Sequence, residues 1–81
     1  MDFPDALKKC IYDGKRITNE NWNGKGMLVY SMDQKTIQCP DSKEKQMVLL
    51  PYLMLRDVNG DFSPWTISHL DVYSTKWKVI E

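Results

Sequence analysis

Residues 19 to 30 read NENWNGKGMLVY and residues 64 to 71 read PWTISHLD. The first places Trp22 among asparagines and glycines, and the second places Trp65 three residues before Ser68. An indole face stacks on a nucleobase, each such contact contributing roughly 1 to 3 kcal/mol. Asn21, Asn23 and Gly24 are residue types that accept left-handed backbone and bring main-chain amides close to a phosphate or ribose. Ser68 followed by Asp71 is a capping-box-like helix start, and helix starts favour anions through free amides and the dipole. One reading is therefore a small nucleotide site built from Trp22, Trp65 and the amides near Ser68. The other is a glycine-rich connection whose Trp22 folds back as a lid on the core, with Trp65 posing the same choice.

The remaining reactive side chains assemble into no recognisable catalytic or metal set. His69 has no serine, cysteine or second histidine in a pattern that would make it a general base, and it is expected to face solvent at a helix start. Cys10 falls on an apolar helical face and Cys39 beside Pro40 in a polar stretch, so both are expected as free thiols. Two cysteines and one histidine at these spacings make no zinc site. No catalytic residue, metal or cofactor is therefore expected. Tyr12, Tyr30, Tyr52 and Tyr73 fit partly buried rings with wet hydroxyls, and Trp77, alternating with Val79, fits the core.

The elements that must position these residues follow from periodicity. Phe3, Ala6, Leu7, Cys10 and Ile11 recur at helical spacing, with Asp2 as cap, Asp5 in the first turn and Asp13-Gly14 as the stop. A short strand over Arg16 to Thr18 leads into the tryptophan loop, and a second runs from Met27 to Met32. Asp33 to Gln46 is polar and predicts a loop with one short strand around Ile37. Met47 to Leu50 is apolar until Pro51 interrupts it, and Tyr52 to Arg56 resumes as a strand. Asn59-Gly60 is the strongest hairpin signal, pairing Tyr52 to Asp57 with Phe62 to Trp65. A two-turn helix from His69 to Ser74 and an alternating strand in WKVIE complete the chain. The predicted fold is α+β: one small domain over residues 1 to 81, an antiparallel sheet with an N-terminal helix and a short C-terminal helix.

Bulk properties limit the partners. A chain of 81 residues buries only about 60 to 65% of its unfolded surface, so self-association is the expected staple. Eleven basic and eleven acidic residues cancel, and the lysines form no stripe interleaved with aromatics, so neither DNA nor RNA is an expected partner. MDFPDALKKC has no basic segment followed by a long apolar one, so no signal peptide is expected. The most apolar run, Met47 to Leu55, is about half of what a bilayer requires. A soluble intracellular protein is predicted.

The order of these features resembles the second type of the phage Thoeris anti-defence family. The residues that carry the likeness are Ala6-Leu7, Gly14-Lys15, the block Trp22-Asn23-Gly24-Lys25-Gly26-Met27, Pro51-Tyr52, Asn59-Gly60, Pro64-Trp65, Asp71 and Trp77, spread over almost the whole chain. The resemblance implies a homotetrameric sponge that binds a cyclic ADP-ribose isomer, glycocyclic ADP-ribose, in the host bacterial cytoplasm. It holds the signal without cleaving it, so that the Thoeris NADase effector stays inactive. Cyclic oligonucleotides are implied as further ligands. By the same likeness Trp22 and Trp65 sandwich a base at a subunit boundary, Asn23, Gly24 and Met27 shape the pocket wall, and Ser68 and Asp71 form a polar rim facing ribose hydroxyls. Tyr52 is counted with these ligand-binding residues. Relative to longer members, Asp33 to Gln46 is short and carries Cys39, which leaves ligand choice open. Two other classes compete: a protein-protein inhibitor such as an anti-CRISPR, and a small nucleotide hydrolase.

Overall fold

The computed structural model describes residues 1–22, 26–33, 35–38 and 46–80. The chain begins with a helix, α1 (Phe3–Asp13), whose start is fixed by Asp2: its carboxylate accepts the Asp5 N–H at 3.0 Å. Gly14 ends the helix in the left-handed region at φ 67°, which costs a residue without a Cβ little. Lys15 N–H then donates to the Lys9 carbonyl at 3.1 Å, satisfying a group the helix leaves open. Ala6 and Cys10, one turn apart, are fully buried and define the inward face.

Five antiparallel strands receive that face. They are β1 (Arg16–Asn19), β2 (Leu28–Met32), β5 (Tyr52–Arg56), β6 (Phe62–Pro64) and β7 (Trp77–Ile80), in the order β6-β5-β2-β1-β7. Ile17 on β1 lies between Val29 of β2 and Val79 of β7. Side chains alternate across a sheet, so Ile17, Val29 and Trp77 meet Ala6 and Cys10, while Tyr30 points to the other face and reaches Phe62 at 6.1 Å. The core of the α+β fold is this contact of α1 with β1, β2 and β7. Met1 contributes at its edge: the Met1 carbonyl accepts the Trp77 N–H at 3.1 Å, and the Met1 amine donates to the Trp77 carbonyl at 2.8 Å.

Between β2 and β5 the chain makes a separate two-stranded sheet, β3 (Lys35–Gln38) with β4 (Gln46–Leu49). The strand expected around Ile37 is present. The apolar run after Gln46 is its partner, with Ile37 opposite Met47. A four-residue strand has no stability of its own, so the polar segment required a mate that local propensity alone does not name.

The Asn59-Gly60 hairpin also forms, one residue wider than a two-residue turn. Asp57 and Asp61 close it through a 2.8 Å backbone bond, the Asp57 carboxylate accepts the N–H groups of Asn59 and Asp61, and Gly60 takes the left-handed position at φ 83°. β6 ends at Pro64, but Trp65 N–H extends the pairing by one bond to the Leu53 carbonyl at 2.9 Å. The second helix, α2 (His69–Tyr73), starts at Ser68, whose hydroxyl accepts the Asp71 N–H at 3.1 Å.

Candidate functional site

Asn19, the last residue of β1, builds the turn that delivers Trp22. Its side-chain oxygen accepts the Asn21 N–H at 2.9 Å and its carbonyl accepts the Trp22 N–H at 3.1 Å. The residue is only 3% exposed, and among the described residues its Nδ2 finds no hydrogen-bond partner. The turn lays the Trp22 ring on Trp77, with centroids 5.2 Å apart and planes at 81°. Trp65 approaches Trp77 at 5.8 Å and 72°, and Trp22 at 6.3 Å and 75°. Phe3 of α1 closes the group, 5.4 Å from Trp77 and 6.1 Å from Trp65. Apart from the Phe3–Trp77 pair, tilted at 48°, these are edge-to-face contacts, the arrangement aromatic quadrupoles favour.

Asp71 ties α2 to two of these indoles. Its carboxylate accepts the Trp22 Nε1–H at 3.1 Å, and its backbone carbonyl accepts the Trp77 Nε1–H at 2.8 Å. Outside this tie lies an open depression of about 620 Å³, lined by Asn21, Trp22, Ser68, Leu70, Asp71, Tyr73 and Ser74. Ligand pockets usually hold 300 to 1,000 Å³, roughly the range into which it falls. Asn21 Nδ2 reaches Ser74 Oγ across the rim at 3.5 Å. Leu70 and Tyr73 stand 82% and 74% exposed at the lip. The described lining carries one carboxylate and no lysine or arginine.

The residues expected from sequence separate into groups. Trp22, Ser68 and Asp71 come together at the depression, with Trp65 packed behind Trp22. Trp22 is thus both a half-buried lid on the core and a wall of the depression. Within one chain the crossed planes of Trp22 and Trp65 leave no parallel slot between them for a base. Met27 is half-buried just before β2, its carbonyl accepting the Thr18 hydroxyl at 2.6 Å. Tyr52 lies elsewhere, in a shallow hollow with Ile11, Ser31, Pro51 and Leu53. Asn23, Gly24 and Cys39 lie outside the described residues.

Leu70, Tyr73 and Ser74 were not anticipated as lining residues, and Asn21 was anticipated only for its backbone. Leu70 and Tyr73 sit three apart on α2, a spacing from which a shared face was readable. His69 is exposed as expected, with its ring 4.9 Å from Tyr73. Cys10 is a free buried thiol, its pKa pushed up by desolvation and partly restrained by a backbone hydrogen bond at Ser31. Among the described residues, no group of three or more metal-ligating side chains occurs, and no helix is long and apolar enough to cross a membrane.

One long helix laid on a five-stranded antiparallel sheet, with a short second helix pinned to an indole cluster, defines a small α+β domain with an aromatic-walled depression beside that second helix. The family model described as Tad2-like, Thoeris anti-defense 2-like domain, matches residues 1–80, and the chain belongs to that family. It is therefore a phage anti-defence protein directed at Thoeris. No curated protein matches the chain significantly.

Proposed function

We propose that the protein sequesters a cyclic ADP-ribose isomer, glycocyclic ADP-ribose, and releases it chemically unchanged. The observation that carries this reading is the Trp22 flank forming a wall of a ligand-sized depression whose rim holds Asp71 and Ser68. A carboxylate repels phosphate, so the rim around Asp71 favours the ribose end of the ligand over its pyrophosphate, with the adenine on the indole. The pyrophosphate then points away from Asp71, toward cations outside the described lining. A homotetramer acting inside the host cell completes the reading, because a neighbouring copy can supply such groups and cover the exposed Leu70 and Tyr73. A compact cyclic ligand loses little conformational entropy on capture, which favours tight holding. Cyclic oligonucleotides present the same bases and riboses and belong to the same ligand class.

The decisive experiment incubates purified protein with glycocyclic ADP-ribose, removes the protein by filtration and assays the filtrate. Depletion, followed by recovery of intact ligand on heating, is the expected result. Recovery of a hydrolysed product makes the protein a nucleotide hydrolase. An undepleted filtrate, with a large host protein co-purifying, makes it a protein-protein inhibitor.

A further inference from the structure

We propose that Asp71 is a positioning residue for this depression: its carboxylate sets the orientation of the Trp22 ring and acts on binding through that ring. The inference rests on the nucleotide-binding reading above. Trp22 hangs from a short turn after Asn19, and two of its neighbours, Trp65 and Trp77, meet it edge to face. Such aromatic contacts tolerate rotation about the ring's attachment, whereas an Nε1–H aimed at a carboxylate oxygen does not. The 3.1 Å bond to Asp71 Oδ1 is the directional constraint on the ring.

Asp71 is itself held at its main chain. Its N–H is bonded to Ser68 Oγ and its carbonyl accepts the Trp77 Nε1–H at 2.8 Å, so the most buried indole fixes the residue that fixes the most functional one. Among the described residues no lysine or arginine pairs with the Asp71 carboxylate, so Trp22 is its defined partner. The main-chain bonds survive any change of the Asp71 side chain, so variants there test orientation and leave the α2 cap in place.

The experiment compares Asp71→Asn, which keeps an acceptor oxygen, with Asp71→Ala, which removes it, each alone and in a Trp22→Phe background. Two readouts are taken: the indole N–H resonance of Trp22 by ¹⁵N NMR, and affinity for glycocyclic ADP-ribose. In Asp71→Ala the resonance moves and affinity falls about tenfold, the scale of one charge-assisted hydrogen bond. Asp71→Asn restores the resonance toward wild type and loses at most about threefold, since a neutral acceptor keeps most of the bond. In the Trp22→Phe background Asp71→Ala causes no further loss. An unmoved Trp22 resonance overturns the proposal, and so does an Asp71→Ala loss undiminished in Trp22→Phe, which would place the carboxylate directly on the ligand. Should wild-type protein bind no probe, the function fails while the resonance comparison still decides the role of Asp71.

Discussion

The indole of Trp77, 1% exposed, donates its only N–H to the backbone carbonyl of Asp71 at 2.8 Å. The most buried aromatic ring of the core is thereby bonded to the helix that borders the depression. Trp77 also packs on Phe3 and stands beside Asn19 in the β1–β7 register, so α1, α2 and the sheet share one side chain.

That convergence predicts the largest stability loss in the chain. Trp77→Ala should destabilise by about 3 to 5 kcal/mol, the usual cost of truncating a buried aromatic. Trp77→Phe should lose less, with about 0.5 to 1.5 kcal/mol from the missing hydrogen bond, because it keeps ring contacts and leaves the Asp71 carbonyl the Ser74 N–H at 3.3 Å. Urea denaturation followed by far-UV circular dichroism checks the order. A Trp77→Phe variant as stable as the wild type would remove the hydrogen bond from the account, and equal losses in the two variants would remove the ring packing.

Trp22 should behave differently because it is half-buried and sits at the edge of the same cluster. Trp22→Ala is expected to leave a folded protein, at a cost of about 1 to 3 kcal/mol for the apolar area it uncovers. Under the sequestration reading it should also erase the ligand-induced rise in melting temperature. A ligand at a hundred times its Kd stabilises the wild type by about 2.7 kcal/mol, so the missing shift is easily measured by differential scanning fluorimetry.

The cap of α2 offers a separate handle. Ser68→Ala removes the acceptor for the Asp71 N–H and should cost about 1 kcal/mol, whereas Ser68→Asp should recover it. Hydrogen exchange at residues 71 to 73 reports the effect locally. Unchanged exchange in Ser68→Ala would mean that the Asp71 bonds to the two indoles hold α2 without its cap.

Much of this arrangement was legible in the residues themselves. Asp2, Asp5 and Gly14 bounded α1, Asn59-Gly60 marked its hairpin, and Ser68 with Asp71 marked α2, because caps and left-handed glycines are local chemistry. The β3–β4 pairing was not, because it joins Lys35 to Leu49 across a polar segment with no period of its own. For the site, residue types flagged Trp22, Trp65, Ser68 and Asp71 but not their arrangement. A Trp22–Asp71 hydrogen bond spans 49 residues of sequence and depends on β7 pairing with β1, a long-range event that no window around either residue contains. Tyr52 was grouped with the tryptophans on likeness, and the sheet sends it to another surface.

Cys10 supplies a pH-dependent prediction. Burial raises its thiol pKa in the folded state, so folding disfavours the thiolate. The native state therefore holds its proton at pH values where the unfolded chain has begun to release it, and stability must fall as pH rises. The contribution is complete below the unfolded thiol value of about 8.5 and is lost progressively above it, toward the raised folded value. Cys10→Ala leaves a small cavity and lowers stability at every pH, but it should remove that alkaline slope. The measurement is the difference between the two proteins' urea-derived stabilities across the alkaline range, in which titrations of shared lysines and tyrosines cancel. Parallel curves would show that the Cys10 thiol does not drive the decline. The same burial should keep native Cys10 from reacting with a thiol reagent until urea opens the core.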